Sequence, residues 1–227
     1  LFEGNRLVDV KTSPNLNYSI IDKFTLDRPI ERFIMATVRD DGEELYAYLS
    51  RMWSGVIMDF HTPVPFSLAG YRDQTLGVDR MALLAAAHHF YPGQNSLVVA
   101  CGSCITYNLL GADHNYHGGG ISPGIHMRLS AMHELTGKLP LVKWDTQQLP
   151  LITGNSTIDA MLSGAVVGAI SEVEGVINRY TKTLNSQLNI ILTGGDANFF
   201  EKELKNSIFA HANFVLYGLN EILQFNS

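Results

Sequence analysis

The sequence is poor in cysteine, in clustered charge and in long apolar runs. Two cysteines in 227 residues cannot build a disulfide framework. Lys and Arg number 16 against 22 Asp and Glu, a net charge of −6, and the sequence pI is about 5.7. The basic residues never form a run, so the electrostatic footprint of a nucleic-acid binder is missing. The longest apolar stretches are about eight residues, well short of the roughly 20 that a membrane helix needs. Signal peptide, low-complexity segment and charged linker are likewise not visible. These absences predict a cytoplasmic protein with neither nucleic acid nor membrane as partner. The chain opens on Leu1 instead of Met, which predicts that the natural start lies upstream. What is present is apolar material: 46% hydrophobic residues suffice for one compact unit or two small domains with real cores.

Periodicity organises the chain. "LFEGNRLVDV" reads as a hairpin turning at Gly4-Asn5. "ERFIMATV" reads as a strand and "DGEELYAYLSRM" as a helix with Leu45, Tyr48, Leu49 and Met52 on its apolar face. "GVIMDF" reads as a second strand. After the Pro63 and Pro65 stretch, "LGVDRMALLAAAHHFY" is an Ala-rich helix opening at Gly77-Val78-Asp79 and ending in "HHFY". From residue 96 strands follow: "SLVVAC", "CITYNLLG" and "YHGGGISPGI". A helix is expected from near Ser122 to about Pro140, with His126 and His133 on one face as surface or interface residues. A long helix is expected over 156–182, in which Gly164, Ala165, Gly168 and Ala169 permit close packing. "NIILTGGDA" is a buried strand entering a glycine turn, and "FVLYGLNEILQF" closes the chain. This order predicts two α/β lobes, residues 1–89 and 90–227.

Both cysteines sit in Cys101-Gly102-Ser103-Cys104. A thioredoxin-type pair needs a helix N-terminus to lower the thiol pKa, yet Ile105, Tyr107 and Leu109 alternate with Thr106 and Asn108 as in a strand. A zinc site needs two further ligands. His114 and His117 are the candidates, and they flank a turn. What remains is strand, Gly-Ser turn, strand: an ordinary hairpin, or a turn whose backbone N–H groups cradle phosphate. Two further glycine clusters, "GGGISPG" (118–124) and "LTGGDA" (192–197), favour the phosphate reading and suggest a nucleotide held between lobes.

"LGVDR" (76–80), "CGSCIT" (101–106), "GGGISPG" (118–124), "GNSTIDAMLSG" (154–164) and "LTGGDA" (192–197) follow one another as in type III pantothenate kinases. The chain resembles that family from its opening hairpin to its terminal "GLNEILQFN". The resemblance implies an α/β fold of two ribonuclease H-like lobes, that of the acetate and sugar kinase/Hsp70/actin superfamily, with nucleotide in the cleft. It implies ATP-dependent phosphorylation of pantothenate to 4'-phosphopantothenate, the first step towards coenzyme A, by a cytoplasmic homodimer using ATP and Mg²⁺. Residue by residue, it makes Gly77, Val78, Asp79 and Arg80 the pantothenate motif, with Asp79 as general base. Thr157 and Tyr71 are further substrate contacts, Tyr71 one residue nearer to Gly77 than in the family. Gly102 and Ser103 stand at the ATP-contacting turn, Gly194 and Gly195 in the adenosine motif, and "GGGISPG" in the dimer interface.

Two departures stand against the family pattern. The sequence starts after the family's opening D-x-G-N-[ST] loop, which carries a metal-associated Asp. The acidic residue linked to monovalent cation (K⁺ or NH₄⁺) binding is Ala100, so the metal ligands stay unassigned. Other roles compete for the same residues: a helix cap for Asp79 or Thr157, a surface ion pair for Arg80. Two other functions compete with the kinase: a catalytically impaired relative with a regulatory or binding role, favoured by Ala100, and a kinase for another small alcohol.

Overall fold

The computed structural model describes residues 1–37, 39–72, 74–145, 148–204 and 209–227. They fall into two units that are not consecutive in sequence. Residues 1–67, 72–90 and 215–227 make the first, and residues 68–71 and 91–214 the second. The terminal helix thus joins the first unit, where a break at residue 90 alone would have left it in the second.

In the first unit β1 (Phe2–Glu3) and β2 (Arg6–Leu7) form the expected hairpin, with Gly4 at φ +57° in its turn. Helix α1 (Tyr18–Thr25) was not expected; the Asn17 side chain caps it by accepting from the Ile20 N–H at 3.0 Å. Strands β3 (Arg32–Met35) and β4 (Ser54–Ile57) run parallel, linked through α2 (Gly42–Leu49). Gly55 faces Phe33 across this pair, and a Cβ there would enter the Phe33 ring. Helix α3 (Val78–Phe90) is buried from Arg80 to Ala87 without a break, so its alanines meet neighbours on every side. One neighbour is α8 (Phe214–Phe225): a Cβ on Gly218 would collide with the Ala82 carbonyl. At the end of α3, His89 Nδ1 lies 2.8 Å from Glu221, so the "HHFY" segment is the helix end expected of it.

The second unit is a five-stranded sheet in the order β7-β6-β5-β8-β9. Strands β5 (Ser96–Cys101), β6 (Cys104–Leu110) and β7 (Tyr116–Pro123) form an antiparallel meander; β8 (Asn189–Thr193) lies parallel to β5, and β9 (Phe209–Ala210) parallel to β8. Helix α4 (Ile125–Glu134) starts three residues later than expected, because Ser122 still pairs with Ile105 in the sheet. The long helix is present but interrupted: α5 (Thr157–Leu162), a π-helical turn (Ser163–Val167) and α6 (Gly168–Leu184). Helix α7 (Ala197–Glu203), also not expected, buries Ala197, Phe199 and Phe200. Leu97, Val99, Cys101, Ala169, Val173 and Ile177 share one core between sheet and helices.

Apolar runs alone set membrane spans aside; the helix Thr157–Leu184 is, at 28 residues, long and apolar enough to cross a bilayer. Its Ala169, Val173 and Ile177 are instead buried in this core. Glu172 on the same helix accepts from Tyr107 at 2.8 Å and pairs with Ser122 and Arg128.

Candidate functional site

The glycine turns meet at one end of the five-stranded sheet. Strands β5 and β8 are parallel and finish side by side, while β6 begins and β7 ends at the same edge. Between β5 and β6 lie only Gly102 and Ser103. Gly194 follows β8 at φ +96°, and a Cβ on it would collide with the Cys101 carbonyl. The Asp196 N–H donates to that same carbonyl at 3.0 Å. On the other side Gly124 donates its N–H to the Ser103 carbonyl at 3.0 Å, and a Cβ there would collide with the Gly102 carbonyl. Gly194 and Gly124 are therefore glycines for close approach, whereas Gly102 and Gly195 have open space where a Cβ would stand. Ser103, Gly194 and Gly195 are exposed. Such an edge presents backbone N–H groups and one hydroxyl to solvent at the carboxyl ends of β5 and β8, a setting that accepts an anion.

Cys101 is not poised as a nucleophile at this edge. Burial pushes the Cys101 thiol up to about 12, and the nearby Asp196 carboxylate adds to the rise, so the thiolate does not form at neutral pH. Burial also raises Asp196, against the opposing pull of His126. Ala100 pairs with Thr106 and Thr193; its methyl supplies no oxygen for a cation.

In the first unit, the Gly77 carbonyl accepts from the Met81 N–H at 3.1 Å and opens α3. Asp79 is thus inside the first helical turn, not the residue before it, and its carboxylate is exposed. A Cβ on Gly77 would lie 2.5 Å from Asp79 Oδ1, so the glycine leaves room for that carboxylate. Arg80 is buried, with 7% exposure, which removes the surface ion-pair reading. Val78 is half-buried.

Two candidate substrate residues belong to the second unit. The Tyr71 ring lies 5.5 Å from that of Tyr116. Thr157 is exposed at the start of α5, but the cap is Ser156, whose hydroxyl accepts from the Asp159 N–H at 3.1 Å. Thr157 is therefore not the side chain that caps the helix. The Glu172 cluster escaped sequence reasoning because its members, Tyr107, Ser122 and Arg128, lie 44 to 65 residues away with no local pattern to mark them.

Comparison with known proteins bears on the family of the chain. The family model described as type III pantothenate kinase matches residues 12–179. A type III pantothenate kinase of Christiangramia forsetii is 38% identical over the whole of this chain and 93% of its own length. One from Bacteroides fragilis is also 38% identical, again over the whole chain and 93% of the relative. Among solved structures, a Baf family protein from Campylobacter jejuni superposes with a TM-score of 0.56 at 21% identity, covering 91% of this chain and 88% of that one. That last likeness is one of fold.

Proposed function

The chain belongs to the type III pantothenate kinase family and has its α/β fold, and from that premise we propose how its residues divide the work. The reaction is the ATP-dependent phosphorylation of pantothenate on the route to coenzyme A. The 4'-hydroxyl oxygen bonds to the γ-phosphorus, the bond from that phosphorus to the oxygen retained by ADP breaks, and the hydroxyl proton passes to a base. Asp79 is that base. Its place in the first turn of α3 and its exposure leave it accessible to substrate. Gly77 and Val78 shape the turn beside it. Burial of Arg80 supports a role in holding this turn over direct capture of the pantothenate carboxylate. Tyr71 and Thr157 are the other substrate contacts.

The observation that carries the reading is the convergence of Gly102, Ser103, Gly124, Gly194 and Gly195 at one sheet edge. We assign Gly102, Ser103, Gly194 and Gly195 to ATP. Phosphoryl transfer depends on such positioning and on charge neutralisation more than on a strong base. Mg²⁺ accompanying ATP would supply part of that neutralisation. A monovalent cation finds no ligand in the Ala100 side chain. We further assign the protein to the cytoplasm and to a homodimeric state. Gly194→Ala is the test: the left-handed φ and the Cys101 carbonyl both exclude a Cβ. ATP KM should rise at least about tenfold, with pantothenate KM little changed. An unaltered ATP KM would move the nucleotide elsewhere. Ala100 favours a second reading, an impaired relative, which predicts no ADP release from purified protein given ATP, Mg²⁺ and pantothenate.

A further inference from the structure

We propose that the π-helical turn Ser163–Val167, anchored by the Ser163 hydroxyl, positions Thr157, making Ser163 a positioning residue for pantothenate. The inference rests on the assignment of Thr157 as a substrate contact. Met161, Ala165, Ala169, Val173 and Ile177 are all buried in one core, at intervals of four residues. A regular α-helix advances about 100° per residue, so steps of four would drift roughly 40° each and spread these five over about 160° of the circumference. The wider π turn accommodates an additional residue and takes up much of that drift. Everything N-terminal to it is turned by about 100° relative to a straight continuation of α6. Thr157 would lie roughly 120° round the helix from Ala169 without the turn and only about 20° with it. The turn therefore brings Thr157 onto the side of the helix that carries the Ala169 face.

Contacts around Thr157 fix the result. Ser163 Oγ donates to the Ile152 carbonyl at 2.7 Å, closing an eleven-residue loop. Gly154 packs so tightly on α5 that a Cβ would collide with the Ala160 nitrogen. Ser156 caps the helix at Asp159 and also donates to its Oδ2 at 2.7 Å. The Ser163 side chain thus ties the π turn to the loop carrying Thr157 towards its end. Without its hydroxyl the Ile152 carbonyl loses that partner and the loop its anchor.

Steady-state kinetics on Ser163→Ala, with Thr157→Val as reference, tests this. Ser163→Ala should raise pantothenate KM about tenfold, the worth of a well-made hydrogen bond, while kcat and ATP KM stay within about twofold. Ser163→Thr, which retains the hydroxyl, should restore KM. The double variant should be no worse than Thr157→Val alone, since coupled residues are not additive. A normal pantothenate KM in Thr157→Val removes the assignment of Thr157 and the proposal with it. A raised KM in Thr157→Val beside a normal one in Ser163→Ala leaves the assignment standing and overturns the positioning role. Should Ser163→Ala fail to fold, hydrogen exchange on the unaltered protein decides. Pantothenate should slow exchange over residues 154–165 and ATP alone should not; equal protection by both, or by neither, overturns the proposal.

Discussion

Asp79 and Glu172 are both carboxylates on helices, and their surroundings assign them opposite work. Asp79 is exposed beside a glycine that leaves it room. Glu172 is half-buried and held by Ser122, Arg128 and Tyr107. Asp79→Asn keeps shape and removes the proton acceptor, so turnover should fall by roughly 10²–10⁴ with an unchanged melting temperature. Near-normal turnover would leave Asp79 only a charge at a helix start. For Glu172, burial pushes the pKa up, but the bonds from Ser122, Arg128 and Tyr107 outweigh it and hold the carboxyl below its ordinary value of 4.5. A depressed folded-state pKa means stabilisation that is present above the unfolded value and lost as pH falls through the folded one. Glu172→Gln should therefore cost about 1–3 kcal/mol at pH 7, and the gap from the parent protein should narrow below about pH 4.5. Denaturant unfolding at several pH values measures this. A gap independent of pH would show that shape, not charge, matters at this position.

At the level of elements, α8 packs tightly against α3. Gly218→Ala sets a methyl against the Ala82 carbonyl, so the helices must separate or shift, at about 1–3 kcal/mol. A lowered melting temperature is expected; an unchanged one would mean the terminal helix can move away freely. Elements of this kind differ in how well the sequence announces them. Strands β5 to β7 were legible because Ile105, Tyr107 and Leu109 alternate with polar partners, and the turn between the cysteines because nothing helical follows it. Helix α1 was not legible, since it spans only eight residues, none of them buried, too few for a sustained helical period. Helix α7, seven residues long, lies directly behind a strand and a glycine turn and is too short to show a period. The glycine clusters were visible as three separate motifs. Their meeting depends on the parallel pairing of β5 with β8, across about ninety residues of chain, which no local pattern encodes. The π turn was hidden for a related reason. A single extra residue in a helix shows only when the buried face on either side is known.

For the whole molecule, the decisive question is what covers the apolar surface of the second unit. Among the described residues strand β7 ends the sheet, and such an edge is a template for a further chain. Ile121 on that strand is 62% exposed, and Leu151 and Ile152 are 77% and 75% exposed. The small residues of the long helix divide: Ala165 and Ala169 are buried in the core of their own unit, whereas Gly164, Gly168 and Gly175 have open space where a Cβ would stand. Those glycines and the β7 edge suit a second copy of this chain, whose close approach they would permit. Sedimentation of the purified protein at micromolar concentration should accordingly give a dimer. Ile121→Lys places a charge on the edge strand without removing any of its sheet hydrogen bonds, and should shift the equilibrium towards monomer. If the partner copy completes the pantothenate pocket, the monomeric variant should lose kcat/KM for pantothenate in step with dissociation and recover it at high protein concentration. A stable monomer with full activity would mean that each chain carries a complete pocket, and that the exposed apolar residues of this unit serve something other than the kinase reaction.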